Sequence, residues 1–354
     1  MDKPQIVAAC RQSVPYTVFS AKWIPGSSRI VVLGSRPKGT GVISVWRYHA
    51  GELELVKEHD KSHALRCGTF GASSKAPRTF ATGDADGRIC IYDVERWDTP
   101  TYMTRGHTKA IAAMAGVAGS NPACGAPELV TGSEDGCVHV WDPRQKGRPV
   151  ASLVAEGDDA PQCWSVAFGN AFNADERCVA AGYASGDIKL YDLRMNTVTW
   201  ETNVSNGVVS LQFDRPDIPM NKLVAATLEG HLHTFDMRTF NQAQGYAGLD
   251  THFKDNFTVW DVAHMPQDRD VLMTGNGNGS MSLYHYKYPS QRWRETDAGK
   301  IGVVGEMEKL QNMAFSSQPI KSLDWSPDKR GALLWTSFDQ TVSVGVVTRL
   351  KEVW

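Results

Sequence analysis

A glycine followed five residues later by an aromatic side chain recurs along this chain at intervals that mark a repeat architecture. Gly41 leads to Trp46, Gly87 to Tyr92, Gly136 to Trp141, Gly186 to Tyr191, Gly230 to Phe235 and Gly279 to Tyr284. The best-formed copy runs from Leu129 to Asp142. There Glu134-Asp135-Gly136 separates two stretches of period-2 alternation, a hairpin signal, because glycine accepts the positive φ of a tight turn. A seventh copy is degenerate, with Gln340 for the glycine and Gly345 for the aromatic. The closing positions fall at 46, 92, 141, 191, 235, 284 and 345, so units of 44 to 61 residues fill the chain.

Upstream of most copies lies another strand-like run with candidate inward residues two apart: Phe19-Ala21-Trp23, Arg66-Gly68-Phe70, Trp164-Val166-Phe168, Val209-Leu211-Phe213, Trp260-Val262-His264 and Lys321-Leu323-Trp325. In the third unit this strand lies within Ile111 to Val117, in no fixed register. Gly106-His107 stands about thirty residues ahead of Trp141-Asp142, the spacing of a WD40 repeat. The expected fold is all-β: a single seven-bladed WD40 β-propeller over residues 1–354, where length alone would suggest two domains. The last blade has clear candidates for only three strands, at 319–326, 332–337 and 341–347. Residues 5–10 are expected to add its outer strand and close the ring, since closure pairs edges that an open sheet leaves exposed.

Eleven tryptophans are ample for a core, and a formal charge of −2 gives no basic field for nucleic acid. Met1-Asp2-Lys3-Pro4 lacks the basic and apolar regions of a signal peptide, and no apolar run approaches the ~20 residues of a membrane span. Seven cysteines without regular spacing suit a reducing, intracellular setting. In blade three His107, a hydroxyl from Thr131 or Ser133, Asp135 and Trp141 can form a buried hydrogen-bonded chain, a structural role. The other blades lack most of that set, so packing alone is expected to hold their aromatics.

No catalytic constellation is legible, and the expected protein is not an enzyme. Gly275-Asn276-Gly277-Asn278-Gly279 has neither the following helix nor the Lys-Ser/Thr of a phosphate loop, and the repeat puts it in a turn. Cys137 with His139, and His231 with His233, each share a strand face but lack further ligands at zinc spacing, so they read as ordinary strand residues with no metal or cofactor.

Binding remains. The first positions of the innermost strands, Phe19, Arg66, Trp164, Val209, Trp260 and Lys321, should ring one mouth of the central channel. Two loops exceed what connectivity needs: 116–127, rich in Gly, Ala and Pro, and the insert 286–313, where Trp293 between Arg292 and Arg294 is a candidate interface anchor.

Several phrases resemble one family more than WD40 proteins at large. They include Cys67-Gly68-Thr69-Phe70-Gly71-Ala72, Val140-Trp141-Asp142-Pro143-Arg144-Gln145-Lys146, Cys163-Trp164-Ser165-Val166-Ala167-Phe168-Gly169-Asn170-Ala171, Trp200-Glu201-Thr202-Asn203, Leu323-Asp324-Trp325-Ser326-Pro327-Asp328 and the degenerate turn Ser337-Phe338-Asp339-Gln340-Thr341-Val342. From about residue 4 to 350 the chain resembles the Monad-type WD-repeat proteins. The resemblance implies a monomeric, non-enzymatic cytoplasmic adaptor for preassembly of axonemal dynein arms, with the cilium or flagellum as a further location. Implied partners are axonemal dynein heavy chains, RuvB-like AAA ATPases and a prefoldin-like co-chaperone, with no nucleic acid and no membrane. An alternative rests on Asp142-Pro143-Arg144, Asp192-Leu193-Arg194 and Asp236-Met237-Arg238. Aromatic-Asp-x-Arg resembles the box by which WD40 substrate receptors dock on cullin-4 ubiquitin ligases, through Arg144, Arg194 and Arg238.

Overall fold

The computed structural model describes residues 3–72, 78–117, 128–145, 147–154, 157, 159–173, 175–253, 257–297 and 299–350. Thirty strands, numbered β1 to β30 in chain order, and no α-helix make up the described residues. Twenty-eight strands form seven four-stranded antiparallel sheets, and β25 (Trp293–Thr296) with β26 (Gly299–Gly302) forms a separate hairpin.

Each sheet is a blade with its strands ordered from the inside out. The inner strands are β2 (Thr17–Trp23), β6 (Leu65–Thr69), β10 (Ile111–Gly116), β14 (Cys163–Gly169), β18 (Val208–Phe213), β22 (Val259–Met265) and β28 (Ile320–Trp325). Each packs on the next and β28 returns to β2, so the seven surround one axis. The seventh blade is completed by β1 (Gln5–Ser13), which pairs antiparallel with β30 (Thr341–Thr348) from Gln5 opposite Thr348 to Ser13 opposite Thr341. The closing strand is three residues longer at its end than the 5–10 read from sequence. Arg11 also pairs with Asp339 in the turn before β30.

The core lies between blades. One cluster joins Ile24, Val31, Leu33 and Ile43 of blade one to Phe80, Tyr92 and Trp97 of blade two. Another joins Trp23 and Trp46 of blade one to Leu334, Val342 and Val344 of blade seven. Fully burying such side chains contributes about 1.5–3 kcal/mol each. Polar rungs tie inner strands together. Asp261 accepts the Leu323 N–H at 2.8 Å, Gln212 accepts the His264 N–H at 2.7 Å, and Asp324 accepts the Trp23 N–H at 2.8 Å.

The turn preceding the third strand of each blade requires positive φ, at Gly87, Gly136, Gly186, Gly230 and Gly279 (φ 77 to 89°). Blade one uses Gly39 (φ 79°), not Gly41, because its turn is longer. Gln340 holds φ 61° without that freedom, at a cost of about 1–3 kcal/mol. Gly275 and Asn276 end β23 (Asp268–Asn276), and Gly277 to Gly279 make the turn into β24 (Ser280–Lys287), as the repeat implies.

The insert is shorter than 286–313. Residues 306–314 are β27, the outer strand of blade six, pairing with β24 from Lys287 opposite Glu306 to Ser280 opposite Ala314. Its short apolar alternation and many charges hid a strand with one face in solvent. Of the loop 116–127 only Gly116 and Val117 lie within the described residues.

Candidate protein-interaction site

In every blade the inner strand slips register once near its start, so that a single side chain there is left out of the ladder; β22 slips again at His264/Met265. The shifts fall at Val18/Ser20, Leu65/Cys67, Ile111/Ala113, Cys163/Ser165, Val208/Ser210, Val259/Asp261 and Ile320/Ser322. The omitted residues are therefore Phe19, Arg66, Ala112, Trp164, Val209, Trp260 and Lys321. A bulge re-aims its side chain and bends the strand. Seven equivalent bulges on strands around one axis form a ring at one level, near the strands' starts. Ala112 is the blade-three member that sequence reading left without a register.

This geometry changes the reading of the two-apart triplets. Ala21 and Trp23 sit in the inter-blade core at 2% and 7% exposure, while Phe19 in the bulge is half-buried. The first member of each triplet thus differs in role from the other two. Arg66 is exposed, and the other ring members are half-buried. The Arg66 guanidinium lies 5.1 Å from the Phe19 ring centre, and the Lys321 ammonium lies 4.8 Å from that of Trp260, both cation–π contacts. Trp260 also meets Phe338 edge-on at 5.6 Å. The Trp164 indole N–H donates to Gln162 at 3.0 Å, and its ring lies so close to Gly207 that a Cβ there would clash at 2.5 Å. Burial pulls Lys321 below its ordinary value; Asp261 opposes this and Arg66 adds to it.

Strand direction assigns the remaining candidates to a face. The ring lies at the end where each blade's second-to-third-strand turn meets the linker to the next blade, as when His107 N–H reaches Gly87 O at 3.1 Å. The third strands run away from that face. Arg144 and Arg194 follow those strands and Arg238 lies in the far part of β20 (His231–Asn241), so all three lie toward the opposite face, as does Trp293 beyond β24. The structure does not bring Trp293 into the ring.

The three arginines are exposed. Arg144 chelates its own Asp142 at 2.9 to 3.2 Å, and Asp192 and Asp236 accept the backbone N–H of Arg194 and Arg238 at 2.8 and 3.0 Å. The Arg144 guanidinium thus bonds within its own blade. Trp293 is half-buried at the start of the β25–β26 hairpin, which folds onto β20 (His231–Asn241) and β21 (Gly245–His252) of blade five.

A buried polar network, unread in the sequence, anchors that hairpin. Lys222, with a fully buried side chain, contacts Asp270 at 2.5 Å, Tyr288 Oη at 2.8 Å and Asp214 at 3.3 Å. Burial alone would lower the Lys222 pKa, but Asp214, Tyr288 and Asp270 outweigh it and hold it raised. Asn221 donates to Tyr288 at 2.9 Å, while Arg292 spans Asp236 at 2.8 Å and Asn221 at 2.9 Å. Arg292 is therefore committed to the scaffold, which leaves Arg294 as the exposed cation beside Trp293.

Blade three carries the polar chain, and Thr131 is its hydroxyl. Trp141 Nε1–H donates to Thr131 Oγ1 at 2.9 Å, Thr131 faces His107 Nε2 at 2.8 Å, and His107 Nδ1 faces both Asp135 oxygens at 3.2 Å. The Asp135 carboxylate only accepts, so His107 Nδ1 carries a proton toward it. Burial would raise Asp135, but His107 and the N–H groups of Thr108 and Cys137 outweigh it and hold the carboxyl well below its usual range. Blade one is not held by packing alone, whereas the buried Tyr284 hydroxyl of blade six has no hydrogen-bond partner among the described residues, as expected. Ser44 takes the Trp46 indole N–H at 2.7 Å and pairs with Tyr16 at 2.5 Å. A serine two residues before the aromatic, on the same strand face, was the available signal.

Seven blades of this repeat, with the blade-three chain from His107 to Trp141, define a WD40-repeat β-propeller. A family model described as WD domain, G-beta repeat, matches residues 98–142, and one described as nucleolar protein 10-like, N-terminal domain, matches residues 124–285. Full-length relatives narrow this. Over 355 residues the chain is 51% identical to the dynein axonemal assembly factor 10 of Xenopus laevis, covering 100% of this chain and 99% of that protein. It is 49% identical to the Homo sapiens protein and 45% to the Chlamydomonas reinhardtii protein of that name, each over 99% of both chains. The chain belongs to the dynein axonemal assembly factor 10 family.

Proposed function

We propose that this protein is a non-enzymatic scaffold for cytoplasmic preassembly of axonemal dynein arms, and that the bulge ring is its partner-binding surface. The full-length likeness to assembly factors from vertebrates and an alga carries the reading. The ring supports the site assignment, because aromatic and Arg side chains clustered on a rigid frame are the residue types that dominate interface energetics. Phe19, Trp164 and Trp260 supply the apolar anchors, and Arg66 and Lys321 supply cations for an acidic client segment. The proposed partners are dynein heavy chains, RuvB-like AAA ATPases and a prefoldin-like co-chaperone.

The experiment is a pull-down of tagged protein from the cytoplasm of cells building cilia, read by mass spectrometry. Dynein heavy chains with RuvB-like ATPases are expected. Trp164→Ala together with Trp260→Ala should lose them while keeping a cooperative melt. Undiminished capture by that double variant would refute the ring assignment, and absence of dynein from the wild-type eluate would refute the function. A second reading draws on the exposure of Arg144, Arg194 and Arg238 at the opposite face. Each offers a planar fork to a partner carboxylate. Recovery of a cullin-4 adaptor that all three substitutions to alanine abolish would favour it.

A further inference from the structure

We propose that blade five carries a divalent transition-metal site, suited to zinc, formed by His231, His233 and Asp250. Sequence spacing counts against such a site, because the two histidines have no further ligand nearby along the chain. Strand register supplies what spacing omits. His231 and His233 are two apart on β20 and share a face. The antiparallel partner β21 sets Asp250 opposite His233 and His252 opposite His231. Cross-strand partners share a face, so four ligand-capable side chains form one block.

One ligand atom from each of His231, His233 and Asp250 lies within 4.8 Å of the others. The Asp250 carboxylate is 2.9 Å from His231 Nδ1 and 3.9 Å from His233 Nδ1. Tetrahedral zinc with ~2.0–2.1 Å bonds separates neighbouring donors by about 3.4 Å, so small side-chain rotations suffice. Two imidazoles and a carboxylate, with no thiolate, are a donor set for zinc rather than for the oxygen-seeking calcium or magnesium. The exposed His252 stacks on His231 at 4.3 Å, at the edge of the cluster.

His231 and Asp250 bond each other, and His233 keeps a nitrogen without a partner. In blade three both nitrogens of His107 are taken by Thr131 and Asp135. His233 Nε2, by contrast, is buried with no hydrogen-bond partner. Among the described residues, Asp250 pairs with the two histidines and with no Lys or Arg. An entry path exists, since the same open cleft is lined by Asn203, Ser205 and Asn206 from the end of blade four.

The test uses full-length protein freed of any polyhistidine tag and stripped with chelator. Isothermal titration with zinc chloride should show one saturable equivalent, and cobalt(II) in its place should give the intense visible absorption of a tetrahedral N/O site. His233→Ala and Asp250→Asn should each weaken zinc binding at least about tenfold. Asp250 is 46% exposed, so its substitution keeps the test decisive if His233→Ala lowers stability. Absence of a saturable equivalent in the wild-type protein would overturn the site, as would wild-type affinity in folded Asp250→Asn.

Discussion

Replacing Thr131 with valine keeps the shape of a fully buried side chain and deletes one hydroxyl. That hydroxyl has two close partners, the Trp141 indole N–H at 2.9 Å and His107 Nε2 at 2.8 Å, with the His139 carbonyl oxygen farther off at 3.4 Å. Both partners are themselves buried, at 1% and 4% exposure, so neither recovers its bond from water. An unsatisfied buried polar group costs about 1–3 kcal/mol, and a buried methyl returns about 0.8 kcal/mol, for a net loss near ~3 kcal/mol. An unfolding entropy of about 2.1 cal/mol/K per residue, applied to 354 residues, makes this a fall in Tm of roughly 4 °C. Differential scanning calorimetry of Thr131→Val against wild type measures it. Thr131→Ser, which keeps the hydroxyl, should recover most of the difference. Ser133→Ala is the control, since Ser133 accepts only the Asp135 N–H and donates to Lys109 O. A fall below about 1 °C for Thr131→Val would show that the polar chain contributes nothing net beyond packing, and the reasoning would fail.

Removing residues 1–12 should leave the β30 edge unpaired, lower Tm by several degrees and promote association; size-exclusion chromatography and a thermal melt would read both, and an unchanged melt refutes closure by β1. Acid sensitivity should begin above the carboxylate range. Burial pulls His264 down to about 4, so the unfolded chain, with a histidine value near ~6.5, binds the proton first. Stability is therefore complete above about pH 6.5 and falls toward pH 4, by up to about 1.4 kcal/mol per pH unit from this group. Burial pulls His139 down to about 4 as well, so urea midpoints at several pH values should show the slope and it should become shallower, not vanish, in His264→Gln.

The seven-fold order was legible because it rests on local chemistry: a positive-φ glycine and an aromatic a fixed distance beyond it are set by one turn and one strand. The missing outer strand was legible by counting. The network from Asp214 through Lys222 and Asp270 to Tyr288 and Arg292 was not, because its members are far apart in sequence and none is unusual alone. The same holds for His231, His233 and Asp250, which only the register of β20 against β21 brings together. The ring residues were picked out from their strand positions, but the bulge that sets Phe19 and Trp164 apart from the core residues two and four positions on is a feature of pairing. Ala112 escaped because a methyl group carries no pattern.

The pairing of β1 with β30 has a consequence for synthesis. Six blades draw their strands from contiguous stretches of chain and can form in turn as they leave the ribosome. The seventh needs the first strand made and the last, so β1 must wait unpaired through translation of more than three hundred residues. Until then, a nascent edge strand at one end and an open side of blade one at the other are exposed to misassociation. A ring built this way leaves both the edge of its last blade and the strand that closes it uncovered until β30 has been made.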